Sequence, residues 1–231
     1  MTQDSIILFL FSLLGGLAAF IGQVRQGQNY RLALVFSGAY LFAITIVHIL
    51  PELFTASDKP TFIGIFVLLG FFLQQWLENY SQGVEHGHLH EHHGEHSRHS
   101  GFILLVALSI HAFLEGALLS HPSDAHPIHS SGPLLWGIVL HKVPAAYALM
   151  TVVRCEDKRL SHSLIYLGVF ALASPLGIFT ADYVMDSGLV SSSAIGLLFA
   201  LVSGGFLHIS TTIVFESNEH HRLNIRKWSV A

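Results

Sequence analysis

A histidine and a glutamate lie four residues apart in an otherwise apolar stretch, LSIHAFLEGALLSH, at residues 108–121. Because residues four apart share one face of a helix, His111 and Glu115 are predicted to project together. A charged side chain at the centre of a bilayer costs roughly 2.5–3.5 kcal/mol on insertion scales, so such groups usually face a partner or a water-filled path. Imidazole nitrogen and carboxylate oxygen are ordinary zinc ligands. The pair therefore predicts a site for a divalent cation inside the membrane.

A second polar group interrupts the apolar stretch GIVLHKVPAAYALM, where His141 and Lys142 are followed by Pro144. A proline inside a helix removes an amide donor and disturbs the carbonyl four residues earlier, here that of Leu140. Discontinuous helices often form ion sites near the membrane midplane. We therefore expect His141 to join the candidate ligands. Lys142 has two readings: it neutralises Glu115 in an ion pair, or it takes the place of a second metal ion.

Three further stretches carry polar residues within apolar runs. IVHILPELF places His48 and Glu52 four apart near the outer end of the second run, where they form either an entrance for the ion or a structural cap. ALASPLGIF contains Ser174, and GGFLHISTT contains His208; both are further candidate ligands. The alternative for each of these histidines, and for those above, is a structural role as a buried, hydrogen-bonded side chain.

Histidine is unusually frequent, with 17 in 231 residues, and seven of them fall in HGHLHEHHGEHSRH. Neutral imidazoles at this density bind zinc-like ions weakly and at many sites, and the low apolar content predicts disorder. The stretch is either a cytoplasmic metal buffer or sensor, or a flexible linker of biased composition. A smaller group, His121, His126 and His129, is a candidate for collecting metal outside. The seven loop histidines are His86, His88, His90, His92, His93, His96 and His99.

Membrane-spanning helices must position these residues. The chain is 52% hydrophobic and 11% charged, whereas a soluble domain carries about 25% charged residues. Seven apolar runs of roughly 20 residues can each cross about 30 Å of hydrocarbon as a helix. They do not alternate with a period of two residues, so barrel strands are not expected. The predicted fold is an all-α, polytopic transmembrane bundle, with spans at residues 5–23, 32–54, 61–80, 101–120, 133–153, 162–182 and 192–215.

Basic residues mark the side of a membrane that faces the cytoplasm. Nine of them lie after the first, third and fifth spans and in the tail, whereas only Lys59 lies on the opposite side. The N-terminus is therefore predicted outside, with the histidine-rich loop and the tail in the cytoplasm. No basic residue precedes the first apolar run, so we interpret it as a retained helix rather than a signal peptide. The nine residues are Arg25, Arg31, Arg98, Arg154, Lys158, Arg159, Arg222, Arg226 and Lys227.

Charge and cysteine content limit the expected partners and cross-links. The formal charge of −4 is too small to suggest a nucleic acid as partner. Cys155 is the only cysteine, so no intramolecular disulfide forms. The expected partners are a divalent cation and the lipid bilayer, and a homodimer is left open.

The spans divide the chain into five segments. These are helices one to three at residues 1–80, a disordered histidine-rich loop at 81–100, helices four and five with the metal site at 101–153, helices six and seven at 154–215, and a cytoplasmic tail at 216–231.

Four motifs resemble those of one known family. HAFLEG at 111–116 resembles the HNxxEG-type motif in the fourth helix of the ZIP (Zrt/Irt-like) metal transporters, and HKVPAA at 141–146 resembles the HxIPEG-type motif of their fifth helix. HILPE at 48–52 and SPLG at 174–177 are similar to motifs of the second and sixth helices. With the span order and the loop after span three, the resemblance covers nearly the whole chain, which is identified as a divergent, bacterial-type member.

The resemblance implies eight helices in a 3+2+3 arrangement, metal carried towards the cytoplasm, and a sliding or rocking motion of one helix group against another. It also implies a metal site between the fourth and fifth helices, with His111, Glu115 and His141 as ligands. Zn²⁺ is the expected cation, and other divalent metals stay open because affinities mostly follow the Irving–Williams order. The expected location is a bacterial inner membrane. Since only seven spans are found, truncation of the chain before an eighth helix is left open.

The chain departs from the family pattern at several motif positions. Ala112, Ala145 and Ser174 stand where the family often has asparagine, glutamate and an acidic residue, so three oxygen ligands of a two-metal site are missing. Ala146 replaces a glycine, and Lys142 sits where binuclear members place a second-metal ligand. We therefore expect one ion at a time, held by the three matched ligands with water or Ser174.

The leading interpretation is a transporter of zinc or a similar divalent cation, not an enzyme. One alternative is a seven-span, zinc-dependent membrane hydrolase, although the seventh span has no HxxxH pair and no serine–aspartate–histidine set is evident. The other is a non-transporting metal sensor, which the missing oxygen ligands favour and in which residues 86–99 would sense the metal.

Overall fold

The computed structural model describes residues 2–21, 28–81, 100–120, 131–156 and 159–216, and the structural statements below concern these residues. They form eight α-helices and no strand. One π-helical turn, Thr45–Ile49, joins the second helix to the third. The helices are α1 (Thr2–Ile21), α2 (Gln28–Ile44), α3 (Leu50–Thr55), α4 (Pro60–Ser81), α5 (Ser100–Leu118), α6 (Ser131–Glu156), α7 (Leu160–Asp186) and α8 (Ser192–Glu216).

Seven helical segments are long and apolar enough to cross a membrane, which confirms the predicted all-α, seven-span fold. The second span consists of α2, the π turn and α3, and each remaining helix makes one span. At about 1.5 Å per residue, spans of 18–27 residues match the thickness of a hydrocarbon core. Large apolar side chains such as Ile6, Leu68 and Phe72 are exposed on the outside of the bundle, where lipid would contact them. The chain is therefore an integral membrane protein.

The π turn in the second span lies just before Pro51, which has no amide hydrogen to offer the Val47 carbonyl four residues earlier. The Leu50 amide donates to the Thr45 carbonyl, five residues back, and this bond closes the wider turn. The Thr45 hydroxyl donates to the Leu41 carbonyl at 2.7 Å. Single π turns inside α-helices often mark functional sites. The α-helical hydrogen bonding of the second span is therefore interrupted at the HILPE motif, residues 48–52.

The helices pack as two groups, which meet where α2 contacts α6 and where α5 contacts α4 and α8. One group contains α1, α5, α6 and α7, and the other contains α2, α4 and α8. Glycines bring the backbones of α4 and α8 together: a Cβ at Gly70 would lie 1.8 Å from the Leu201 carbonyl oxygen, and one at Gly204 would lie 1.9 Å from that of Val67. Two closely packed bodies of this kind are what a rigid-body rocking motion requires.

The two largest apolar cores among the described residues lie towards opposite ends of the bundle. Helices α1, α4, α6 and α8 all end at one end of the bundle, which we call the inner end. We call the opposite end the outer end. The inner core contains Leu104, Leu105, Leu108 and Ala112 of α5 and the buried apolar residues between positions 145 and 153 of α6. The outer core takes residues 118–119 from α5 and 134–139 from α6. The polar residues of both helices therefore lie in a layer between the two cores.

Candidate metal site

Three side chains converge in the layer between the two cores. His111 and Glu115 lie on α5 and His141 lies on α6, and one ligand atom from each lies within 4.8 Å of the others. His111 Nε2 is 3.0 Å from Glu115 Oε1, and the two imidazole rings are perpendicular with centroids 5.9 Å apart. Ligands of a tetrahedral zinc ion, with bonds of about 2.1 Å, lie about 3.4 Å from one another. The three groups therefore need only small side-chain movements to bind one such ion.

The burial of these three polar side chains favours the binding of a cation beside them. Glu115 and His141 are each 1% exposed and His111 is 6% exposed. The ring of Phe206, from α8, lies 6.5 Å from the His111 ring and covers it on the side of the second helix group. An ionised carboxylate in such surroundings is strongly destabilised unless positive charge lies beside it. A divalent cation bound by the three residues would supply that charge.

Lys142 already provides one positive charge next to the three residues. Its side chain is 1% exposed, and the ammonium nitrogen lies 3.6 Å from Glu115 Oε2. It donates a hydrogen bond of 2.6 Å to the Ser174 hydroxyl, which donates in turn to the Ala112 carbonyl at 2.6 Å. The same nitrogen lies 4.6 Å from the centre of the Phe170 ring, a favourable cation–π contact. One oxygen of the carboxylate therefore faces the histidine and the other faces the lysine.

Glycines allow α5 and α7 to approach closely enough for this network to form. A Cβ at Gly116 would lie 2.1 Å from the Ser174 carbonyl oxygen, and one at Gly177 would lie 2.0 Å from that of Phe113. Real Cβ atoms essentially never come so close to backbone atoms, so any larger residue would push the helices apart. The motif glycines thus fix the distance between Ser174 and the helix that carries Glu115.

We expect the substitution Gly116→Ala to destabilise the protein and reduce metal binding at the site. The added methyl group overlaps the α7 backbone, and such overpacking typically costs about 1–3 kcal/mol. Gly168→Ala is the matched control, since the space beside that α7 glycine is open to at least 4 Å. Thermal unfolding of the purified protein with and without zinc measures both effects. Equal melting temperatures and equal zinc responses for the two variants would contradict the role assigned to Gly116.

The other sequence-predicted residues lie elsewhere. His48 is exposed in the π turn and Glu52 is half-buried in α3; neither belongs to the three-residue group. Ser174 lies beside Lys142. His208 faces α4 rather than the group: its Nε2 is 2.5 Å from Glu78 Oε2. The predictions for residues 86–99 and for the three histidines at 121, 126 and 129 fall outside the described residues.

Two acidic residues escaped the sequence interpretation. Glu78 of α4 pairs with His208 of α8, whose imidazole also packs edge-on against the Phe71 ring at 4.9 Å. Asp182 of α7 is 6% exposed and lies two helical turns beyond Ser174 towards the outer end. Both follow apolar runs, in QQWLENY and TADYVMD, and neither has a histidine four residues away. The sequence feature that could have identified Glu78 and Asp182 is an acidic residue at the end of an apolar run, because such residues are rare in membrane spans.

The fold and the site together define a polytopic helical membrane protein with a buried histidine–glutamate cluster suited to a divalent cation. The model of the ZIP zinc transporter family matches residues 75–230 of this chain. Because that match covers more than half of the sequence, the chain belongs to the ZIP zinc transporter family. The match confirms the family resemblance, and it includes the motifs at 111–116, 141–146 and 174–177.

Two relatives show how far the similarity extends. Protein zntD of Dictyostelium discoideum is 29% identical over 153 residues, which cover 62% of this chain and 22% of zntD. Zinc transporter ZIP1 of Plasmodium falciparum (isolate 3D7) is 23% identical over 265 residues, which cover 84% of this chain and 72% of that protein. The chain thus matches about a fifth of the length of zntD and nearly three quarters of that of ZIP1.

Proposed function

We propose that this protein moves zinc, or a similar divalent transition-metal cation, across a membrane towards the cytoplasm. The observation that carries the proposal is the convergence of His111, Glu115 and His141 within 4.8 Å, deep in a seven-span bundle. Membership of a transporter family and the name of the ZIP1 relative support the same reading. The family also favours a transporter over the hydrolase alternative.

The proposed route runs from the outer to the inner end of the bundle. The cation enters past His48 and Glu52, whose exposed and half-buried positions near the outer end suit contact with the medium. It then exchanges water for the three buried ligands. Three protein ligands leave one tetrahedral position open, which permits both loading and release. The ion finally leaves towards the histidine-rich residues 86–99, which act as a weak cytoplasmic buffer.

The site is proposed to hold a single transported ion. The Lys142 ammonium lies 3.6 Å from Glu115 Oε2 and 2.6 Å from the Ser174 hydroxyl, so it occupies the side of the carboxylate where a second ion would bind. A divalent cation placed there would meet a fixed like charge in surroundings of low dielectric constant. We therefore assign to Lys142 the role of a tethered substitute for a second metal ion.

Zinc uptake into proteoliposomes tests this function directly. We expect the purified protein to raise the signal of an enclosed zinc indicator when zinc is added outside. Deletion of residues 86–99 should leave this uptake in place, because the transport site lies in the helices. A sensor would instead bind zinc without moving it, and the deletion would remove its response. Metal binding with no uptake by either protein would contradict transport.

A further inference from the structure

Two tyrosines of α2 each donate a hydrogen bond to the carbonyl of a proline in α6. The Tyr40 hydroxyl donates to the Pro133 carbonyl at 3.0 Å, near the outer end of α6. The Tyr30 hydroxyl donates to the Pro144 carbonyl at 3.5 Å, towards the inner end. The helices run in opposite directions, so one contact lies on each side of His141. Both contacts join the two helix groups, because α2 and α6 belong to different groups.

The two contacts also lie on either side of a weak point in α6. Pro144 cannot donate to the Leu140 carbonyl, so the helical bonding of α6 is interrupted beside His141. Interruptions of this kind are common causes of helix bending. Tyr40 therefore holds the part of α6 before the interruption, and Tyr30 holds the part at and after it.

The inner contact is an aromatic pair as well as a hydrogen bond. The Tyr30 ring lies 5.4 Å from the ring of Tyr147, which is one turn beyond Pro144 and only 8% exposed. The Tyr30 hydroxyl, a phenolic donor, is the hydrogen-bond partner of the Pro144 carbonyl. At 3.5 Å its hydrogen bond is longer than that of Tyr40, so it is the weaker of the two bonds.

The route inward from the site is closed by packed side chains. Ala145 and Ala146 follow the site on α6 and are 4% and 0% exposed, and Leu149 is 0% exposed within the inner core. A cation that leaves inward must therefore pass beside α6 after a helix has moved. Moving α6 away from α5 or α7 would disrupt its own group, whereas separation from α2 breaks only the contact between the groups.

We propose that Tyr30 is the inner gate of this site: its contacts with Pro144 and Tyr147 close the passage between α2 and α6, and their release opens it. The direction of release rests on the proposed transport function, but the gate itself is defined by the contacts. Tyr40 keeps the outer half of α6 attached while the inner half moves. The aromatic pair contributes most of the closing energy, since such pairs stabilise by about 0.5–1.5 kcal/mol beyond simple burial.

Accessibility of a buried cysteine tests the gate without any metal. The reporter is Ala146→Cys in a Cys155→Ser background, and the protein is placed in lipid nanodiscs, where a hydrophilic maleimide reaches both ends. We expect Tyr30→Ala to speed labelling about tenfold and Tyr30→Phe to speed it about threefold. Tyr40→Phe is the matched control and should leave the rate unchanged. In a parallel set of tyrosine variants that keep Ala146 and the native, exposed Cys155, labelling of Cys155 should proceed at the same rate throughout.

Labelling at the parent rate in both Tyr30 variants would overturn the gate, as would an equal increase with Tyr40→Phe. If Tyr30→Ala does not yield folded protein, Tyr147→Leu removes the same aromatic pair from the other side and should also speed labelling about tenfold. If Ala146→Cys disturbs packing, Ala145→Cys is the replacement reporter. Faster labelling in a protein that fails to take up zinc would contradict the proposed function and leave the gate standing.

Discussion

Replacing His111 and Glu115 together by alanine is expected to reduce zinc uptake by proteoliposomes at least about a hundredfold. Loss of a residue that merely supports a metal ligand typically lowers affinity or activity about 10–100-fold, and this variant loses two of the three ligands themselves. The remaining imidazole of His141 cannot replace the hydration shell of a divalent ion. Uptake of an enclosed zinc indicator at matched protein density is the measurement.

The controls for this variant separate ligand loss from misfolding. Removal of the Glu115 carboxylate leaves the Lys142 ammonium buried without its counter-ion, which is destabilising. His111→Ala alone keeps the Glu115 carboxylate beside Lys142, so it should fold well and still lose most uptake. His162→Ala, at an exposed position of α7, should transport at the parent rate. Unchanged uptake by the double alanine variant would rule out this site as the transport site.

Lys142→Met is expected to lower the stability of the metal-free protein by about 3–5 kcal/mol, because it leaves a buried carboxylate without its cation. In a protein of this size that corresponds to a fall of roughly 10 °C in melting temperature. Zinc should restore more stability to the variant than to the parent protein, since the ion then supplies the missing charge. Ser174→Ala removes the two 2.6 Å hydrogen bonds of the hydroxyl but no charge, and should have a smaller effect.

A second substitution separates the two roles considered for Lys142. The double variant Lys142→Asp/Ser174→Glu offers three carboxylates in the pocket together with Glu115. If the lysine stands in for a second ion, this variant should bind one more zinc ion per chain than the parent. If the lysine is only an ion-pair partner, the variant should bind no additional zinc and should be unstable even when zinc is present.

The serine at position 174 has an electrostatic reason. An acidic residue at position 174 would form a strong ion pair with Lys142, whereas the serine accepts from the ammonium and donates to the Ala112 carbonyl without adding charge. The pocket of Lys142 and Glu115 is then balanced without a second metal ion. The absence of amide and carboxylate oxygens at positions 112, 145 and 174 is therefore consistent with a site for one ion.

Local patterns predicted the spans and the pair on α5. Span positions depend on the length and hydrophobicity of a run, and the shared face of His111 and Glu115 depends only on helix geometry. The approach of His141 required two helices to meet, and for that the sequence supplied only a mid-span position and a family resemblance. The structure brings these three residues together within 4.8 Å.

Contacts between distant helices could not be predicted in the same way. Glu78 and His208 lie 130 residues apart and meet only because Gly70 and Gly204 let α4 and α8 pack backbone to backbone. The sequence therefore predicts His208 only as a further candidate ligand, whereas in the structure it faces another helix. Similarly, nothing in the residues around Tyr30 indicated that its hydroxyl would reach the backbone of α6.

Anomalous X-ray diffraction at the zinc edge, from crystals grown with zinc, tests the central claim most directly. We expect one strong peak between α5 and α6, with a nitrogen of His111, a nitrogen of His141 and an oxygen of Glu115 each about 2.0–2.2 Å away. No second peak should appear beside Lys142. A density map in which these side chains are ordered but no zinc lies between them, while zinc binds elsewhere in the helices, would contradict the account.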